Sequence, residues 1–205
     1  MNKDELFLKI NEILLKSLKP SEDLKRLIIE GELDQAPFNK IKRLNKIEQS
    51  PKYHPEGSVL NHVFLVVDLA SEYKIYSNDE KVFMWAALLH DIGKLTTTRV
   101  RKNRITSYNH DSEGENIAMD FLNELTNDEK FKQKVSKLVR WHMQPLFYDK
   151  NLPFFQPQDM INDVEYKEIA LLSLCDRLGR GNLSEDSIKH EKERIEKFKE
   201  YFENN

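Results

Sequence analysis

The 205-residue chain is 39% hydrophobic and 33% charged, with six glycines, seven prolines and one cysteine, a composition that excludes a fibrous, low-complexity or disulfide-stapled protein and fits a mainly helical one. Its formal net charge of −3 supplies no global field for coating nucleic acid, so an anionic ligand must be gripped locally. The acidic start Asp4-Glu5 is unlike a signal peptide and the apolar run over residues 82–89 is too short to span a bilayer, which predicts a cytoplasmic protein without a membrane segment.

Leu6, Ile10, Ile13, Leu14 and Leu18 recur at helical spacing up to Pro20. Ser21 then reads as the cap of a second helix carrying Leu24, Leu27 and Ile28, which Gly31 stops. Phe38, Ile41, Leu44 and Ile47 mark a third, shorter helix. Residues 1–50 hold no glycine-rich phosphate loop and no ligand cluster, so they read as a helical lead-in, either scaffold or docking surface. The turn Tyr53-His54-Pro55-Glu56-Gly57, with His54 as a brace, leads into a helix from Ser58 to Tyr73. On that helix His62 shares the inward stripe of Val66 and Leu69. Ser77 and Glu80 stand at capping-box spacing before a segment that is apolar all round and ends in His90-Asp91. A buried imidazole beside an ionised carboxylate is costly unless a cation or donors compensate. Gly93 lets the chain leave the helix, and Lys94 adds a positive charge.

Near residues 98–108 the period changes, and Val100 and Ile105 flank the polar turn Lys102-Asn103 as in a small β-hairpin. Arg99, Arg101, Lys102 and Arg104 there form either a solvated tip or a lip that attracts an anionic substrate. His110 follows, before Ser112 and Glu115 at capping-box spacing and the stripe Ile117, Ala118, Phe121, Leu122 and Leu125. Thr126 and Glu129 open a helix that ends in Trp141-His142. Residues 146–157, with Phe147, Tyr148, Phe154 and Phe155, read as an irregular loop. A second apolar helix through Ile169, Leu172 and Cys175, whose thiol is expected to be buried, reaches Asp176-Arg177. The last helix, Ser184 to Phe202, carries a thin apolar stripe and reads as a cover with a solvated face bearing His190.

His62, His90, Asp91, His110, His142 and Asp176 thus stand at or beside inward positions of different helices. Imidazole and carboxylate together suit borderline divalent metals, and a bundle core is where such a site is assembled; hydrogen-bonded core histidines are the competing reading. These six residues in this order resemble the ligand set of the HD superfamily of metal-dependent phosphohydrolases. Tyr53-His54-Pro55-Glu56-Gly57, Leu89-His90-Asp91-Ile92-Gly93-Lys94, Arg104-Ile105-Thr106-Ser107-Tyr108-Asn109-His110 and Asp176-Arg177-Leu178-Gly179-Arg180 are similar to the HD part of bacterial tRNA nucleotidyltransferases, over about residues 35–182.

The resemblance implies an all-α HD-domain helical bundle with one small hairpin insertion. The expected organisation is a single domain over 1–205, with a lead-in (1–50), a metal-binding core (51–182) and a covering helix (183–205). It implies one or two divalent ions (Mn, Fe, Ni, Co, Zn or Mg): His62, His90, Asp91 and Asp176 as core ligands, and His110 and His142 completing a second position. Metal-activated water then attacks phosphorus in line, with Asp91 and Lys94 as catalytic residues and Lys94, Arg177 and Arg180 binding substrate; for both arginines, pairing with carboxylates inside the bundle is the other reading. The expected activity is that of a phosphatase or 2′,3′-cyclic phosphodiesterase on a nucleotide or other small phosphate ester. The alternative is a non-catalytic, metal-containing module that binds a nucleotide or RNA end. Ser58 and Val63 depart from the resembled pattern, which has an acid and a hydroxyl residue at those positions. The sequence contains neither a nucleotidyltransferase catalytic domain nor the Gly-Tyr-Pro signature of HD proteins that cleave cyclic dinucleotides, so the expectation is an HD module standing alone.

Overall fold

The computed structural model describes residues 1–102 and 104–204; of the expected turn Lys102-Asn103, Asn103 lies outside the described residues. The described residues form an all-α bundle with one two-stranded antiparallel hairpin. Helices α1 (Lys3–Lys16) and α2 (Pro20–Ile29) form the lead-in, followed by the short α3 (Asn39–Arg43). Two longer helices come next, α4 (Val59–Tyr73) and α5 (Glu80–Leu89). Every residue of α5 from Val82 onward is buried, as expected of a helix without a polar face. α1 packs on α5 and α2 on α4, so Leu6, Ile10, Leu14 and Leu24 share one hydrophobic cluster with Trp85 and Leu88.

A short helix, α6 (Lys94–Thr97), precedes the hairpin β1 (Arg99–Arg101) and β2 (Arg104–Thr106), in which Val100 pairs with Ile105. α7 (His110–Asn123) lies along α8 (Glu129–Trp141), which in turn packs on α5. Helix α9 (Gln144–Asp149) runs into the segment 146–157 read as an irregular loop, and α10 (Pro157–Asp163) begins at its last residue. Pro145 falls in the first turn of α9 and Pro157 in that of α10, where a missing N–H costs nothing. α11 (Tyr166–Leu178) packs against α4 and α5, and α12 (Glu185–Glu203) covers α11 and α9. Tyr148 and Phe155 meet Phe198 of α12 at ring separations of 5.9 and 6.3 Å, so aromatics of the 146–157 segment dock the last helix.

Several helix starts differ from the capping boxes read in the sequence. Asp79 and Asp128 are the caps of α5 and α8, accepting from Val82 N and Phe131 N at 3.2 and 3.0 Å; such a cap contributes about 1 kcal/mol. Ser77 and Thr126 instead accept from the backbone N–H of those aspartates, which puts Glu80 and Glu129 at the first helical position rather than the third. Pro20 starts α2, while Ser21 bonds Asp68 of α4 through both backbone N–H (2.8 Å) and hydroxyl (2.7 Å). α7 begins at His110, after Asn109 at φ 60°, and Ser112 lies inside it. Gly93 does not turn the chain left-handed; its φ is −64°. A side chain there would meet the His110 carbonyl oxygen at 2.0 Å, so Gly93 serves the close approach of α6 to the start of α7.

Candidate metal centre

The six expected ligands come from the ends and faces of α4, α5, α7, α8 and α11, and the structure brings all six together. Each of three histidines ends or begins a helix and is oriented by its own backbone. Nδ1 of His90 donates to Ala87 O at 2.9 Å, that of His110 to Ser107 O at 2.8 Å and that of His142 to Val139 O at 2.7 Å. A proton on Nδ1 leaves Nε2 with its lone pair, the tautomer that ligates a metal.

Those Nε2 atoms face carboxylates. His90 Nε2 is 3.5 Å from Asp91 Oδ2, and His110 Nε2 is 3.4 Å from Asp91 Oδ1. His62 Nε2 contacts Asp176 Oδ1 at 2.9 Å and lies 3.9 Å from Asp91 Oδ2. The rings form a continuous row: His62 to His90 at 5.4 Å, His90 to His142 at 5.4 Å and His142 to His110 at 5.2 Å. Two compact ligand triads result, His62–His90–Asp91 and Asp91–His110–His142, with Asp91 common to both.

The electrostatics fit a cation. Burial disfavours the charge on Asp91 and Asp176, yet Lys94 and His90 hold Asp91, and His62 and Arg180 hold Asp176, well below the usual carboxylate range. Burial, with repulsion from His110 and His90, lowers His142 to about 4, and burial also lowers His110 despite Asp91. Burial opposes a proton on His62, but Asp176 and Glu56 outweigh it and raise its pKa to about 9. Buried His90 Nε2 has no hydrogen-bond partner among the described residues. An orphaned lone pair beside ionised carboxylates is the donor set that a divalent ion completes, so the residues present fit the metal.

Lys94 sits between Asp91 Oδ2 (2.7 Å) and Gln49 Oε1 (2.8 Å). Arg177 is 3% exposed, and Nη1 is bonded to Glu191 of α12. Arg180 lines the cleft above the site, about 650 Å³ in volume, whose floor includes Asp91, His110, His142 and Asp176. The hairpin enters that cleft through Ile105 and Thr106, whereas Arg99, Arg101, Lys102 and Arg104 are not among its walls. His190 lies on the exposed face of α12. Ser58 caps α4, accepting from Asn61 N at 3.3 Å, and Val63 is fully buried.

Glu56 was not singled out as a functional residue. Its Oε1 lies 2.9 Å from His54 Nδ1 and 3.0 Å from His62 Nδ1, and Oε2 accepts from Gly181 N at 3.3 Å. The contact with His62 is off the line of a good hydrogen bond, yet His54 and His62 together hold Glu56 far below its ordinary pKa against the effect of burial. A carboxylate on the far nitrogen of a ligating imidazole fixes its orientation and raises its basicity. Gln49 was missed as well, as were the cleft residues Lys150 and Arg194, because the segments around them carry no motif; the one available signal for Glu56 was an acid inside a Pro-Gly turn.

Comparison with curated proteins returned no match. The HD domain family model matches residues 59–181, a span that contains all six clustered histidines and aspartates. With more than half of the chain matched and a cluster able to hold metal at its centre, the chain belongs to the HD domain family, within the superfamily of metal-dependent phosphohydrolases.

Proposed function

We propose that the protein is a phosphohydrolase, of phosphatase or 2′,3′-cyclic phosphodiesterase type, that acts on a nucleotide or other small phosphate ester. The observation that carries this reading is the pair of triads sharing Asp91 at the floor of a cleft with basic walls. His62, His90, Asp91 and Asp176 would hold one divalent ion, and Asp91, His110 and His142 a second. Such ions polarise a phosphoryl oxygen and acidify water. The backbone-anchored histidines keep their lone pairs aimed at the floor of the cleft, so no ligand has to reorient during turnover. Lys94, bonded to Asp91, neutralises part of the carboxylate charge that would repel a phosphate and offers Nζ to one of its oxygens. Arg180 is the cation of the cleft best placed to hold the rest of the substrate. Water adds to phosphorus, the ester P–O bond breaks, and the departing oxygen takes up a proton.

In this reading the molecule is one domain over 1–205, with 1–50 as lead-in and 183–205 as cover, and it is the stand-alone equivalent of a tRNA nucleotidyltransferase HD module acting in the cytoplasm. The test is a panel of nucleoside monophosphates, 2′,3′-cyclic nucleotides and simple phosphate esters offered to the metal-loaded wild type and to Asp91→Asn. Turnover confined to the wild type is expected; equal rates in both proteins would remove the reading. A second reading, a non-catalytic nucleotide- or RNA-end-binding module, is favoured by Tyr53 and Tyr108, which stand 58% and 73% exposed at the mouth of the cleft. It predicts binding of those ligands without turnover.

A further inference from the structure

One wall of the cleft is not used by the hydrolytic chemistry. It is built from the end of α9, the end of α11 and the face of α12, so part of it lies beyond the residues that match the HD domain. Four cations, Lys150, Arg177, Arg180 and Arg194, line it. Two carboxylates answer them. Glu191 binds Arg177 and contacts Arg194 at 2.9 Å, while Asp149 contacts Arg194 at 3.3 Å and Lys150 at 3.4 Å. Within the wall these two carboxylates answer only two of the four charges, and Arg180 is left with the more distant field of Asp176 at the floor. Among the described residues Arg180 makes no hydrogen bond or ion pair, and its Nε is closed off from water without an acceptor. A guanidinium held this way in a partly dry cleft is costly until an anion completes its fork. Arg180 lies two residues past the end of α11, four residues after Asp176, and it acts on the Asp176 carboxylate only through its field, without a hydrogen bond or ion pair among the described residues. An anion on Arg180 is therefore a different group from one held at the histidine row, yet within reach of the same small molecule.

We propose that this wall is a second phosphate subsite, centred on Arg180 and flanked by Lys150 and Arg194, which holds a non-scissile phosphate of a nucleotide. The exposed rings of Tyr53 and Tyr108 at the mouth supply stacking faces for its base. The inference rests on the reading that the scissile phosphate lies at the histidine row. It narrows the substrate class to nucleotides carrying two phosphates, either free bisphosphates or the phosphorylated end of a strand.

The experiment is calorimetric titration of the full chain as purified, at fixed ionic strength. The ligands are non-hydrolysable phosphonate analogues of adenosine 3′-monophosphate, of adenosine 3′,5′-bisphosphate and of a 3′-phosphorylated trinucleotide. The wild type is expected to bind the bisphosphate analogue at least tenfold more tightly than the monophosphate. In Arg180→Gln that ratio falls below threefold. The half-exposed Lys150→Gln, a safer variant for folding, lowers it two- to fourfold. The ratio compares two ligands on one preparation, so it does not depend on the fraction folded. A wild-type ratio below twofold, an unchanged ratio in Arg180→Gln, or no binding of the bisphosphate analogue overturns the subsite. A trinucleotide bound more tightly than the bisphosphate supports the subsite with a strand end as ligand, and equal binding supports it with a free nucleotide. A protein that keeps the tenfold ratio but turns over no phosphate ester overturns the hydrolase reading alone; one that hydrolyses monophosphates with a ratio near one overturns the subsite alone.

Discussion

Replacing Glu56 by Gln tests whether orientation of His62 contributes to metal affinity. The side chain keeps its length and one acceptor, but it loses the carboxylate charge and gains an NH2 group. In the wild type, Oε1 serves His54 Nδ1 and His62 Nδ1, and Oε2 accepts from Gly181 N. An amide cannot satisfy all three, because its NH2 must face either an imidazole N–H or the Gly181 N–H. If the amide oxygen stays on the imidazoles, His62 loses the charge that raises its basicity; if it stays on Gly181, His62 loses its acceptor altogether. Loss of such an outer partner typically weakens metal binding about 10- to 100-fold, or ~1.4 to 2.7 kcal/mol. The assay is calorimetric titration of chelator-stripped protein with manganese and with zinc, beside a thermal melt of the same preparations. A drop in affinity in that range, with the cooperative melt preserved, is expected. Affinity within twofold of wild type for both metals would refute the argument that Glu56 acts on the site through His62.

Three other outcomes follow from the geometry. Gly93→Ala places a methyl 2.0 Å from the His110 carbonyl oxygen, so it should cost about 1–3 kcal/mol or more in urea unfolding and lower metal stoichiometry by displacing His110; an unchanged midpoint and stoichiometry would contradict the packing. Chelation of protein held at 100 times the metal dissociation constant should remove about 2.7 kcal/mol, a fall of roughly 5–11 °C in Tm for a chain of this size, and a melt insensitive to chelator would count against a resident ion. Cys175 is fully buried and its pKa is pushed well up, chiefly by burial, so a thiol reagent should leave the native protein unmodified and titrate one thiol after denaturation; rapid labelling of the native state would show that α11 opens.

The clustered histidines and aspartates were legible in the sequence because each stands where an apolar stripe ends or turns inward, and a polar residue in that position needs a partner. The helix order was legible for the same reason. The caps were displaced by two residues because Ser77 and Thr126 satisfy the spacing to a glutamate, while the aspartate two residues on competes for the same N–H groups and is a stronger acceptor; no local pattern decides between them. The α9 helix was hidden by its flanking prolines and aromatics, which read as a loop until tertiary packing against α12 gives Tyr148 and Phe155 a partner. Glu56 could not be ranked from sequence at all, and Arg180 was named there only together with Arg177, with pairing to carboxylates as the other reading. The importance of Glu56 lies in the two imidazoles beside it, and that of Arg180 in its lack of a hydrogen bond or ion pair among the described residues.

The histidines differ in what they lean on, and that difference distributes the protein's tolerance to change. His90, His110 and His142 are aimed by main-chain carbonyls three residues earlier, acceptors that side-chain substitution does not remove. His62 alone depends on side chains at both ring nitrogens, Glu56 on one and Asp176 on the other. Random variation in the surrounding bundle should therefore be absorbed quietly at three corners of the site and felt at the fourth, so that inactivating substitutions outside the six candidate ligands gather around the 53–57 turn.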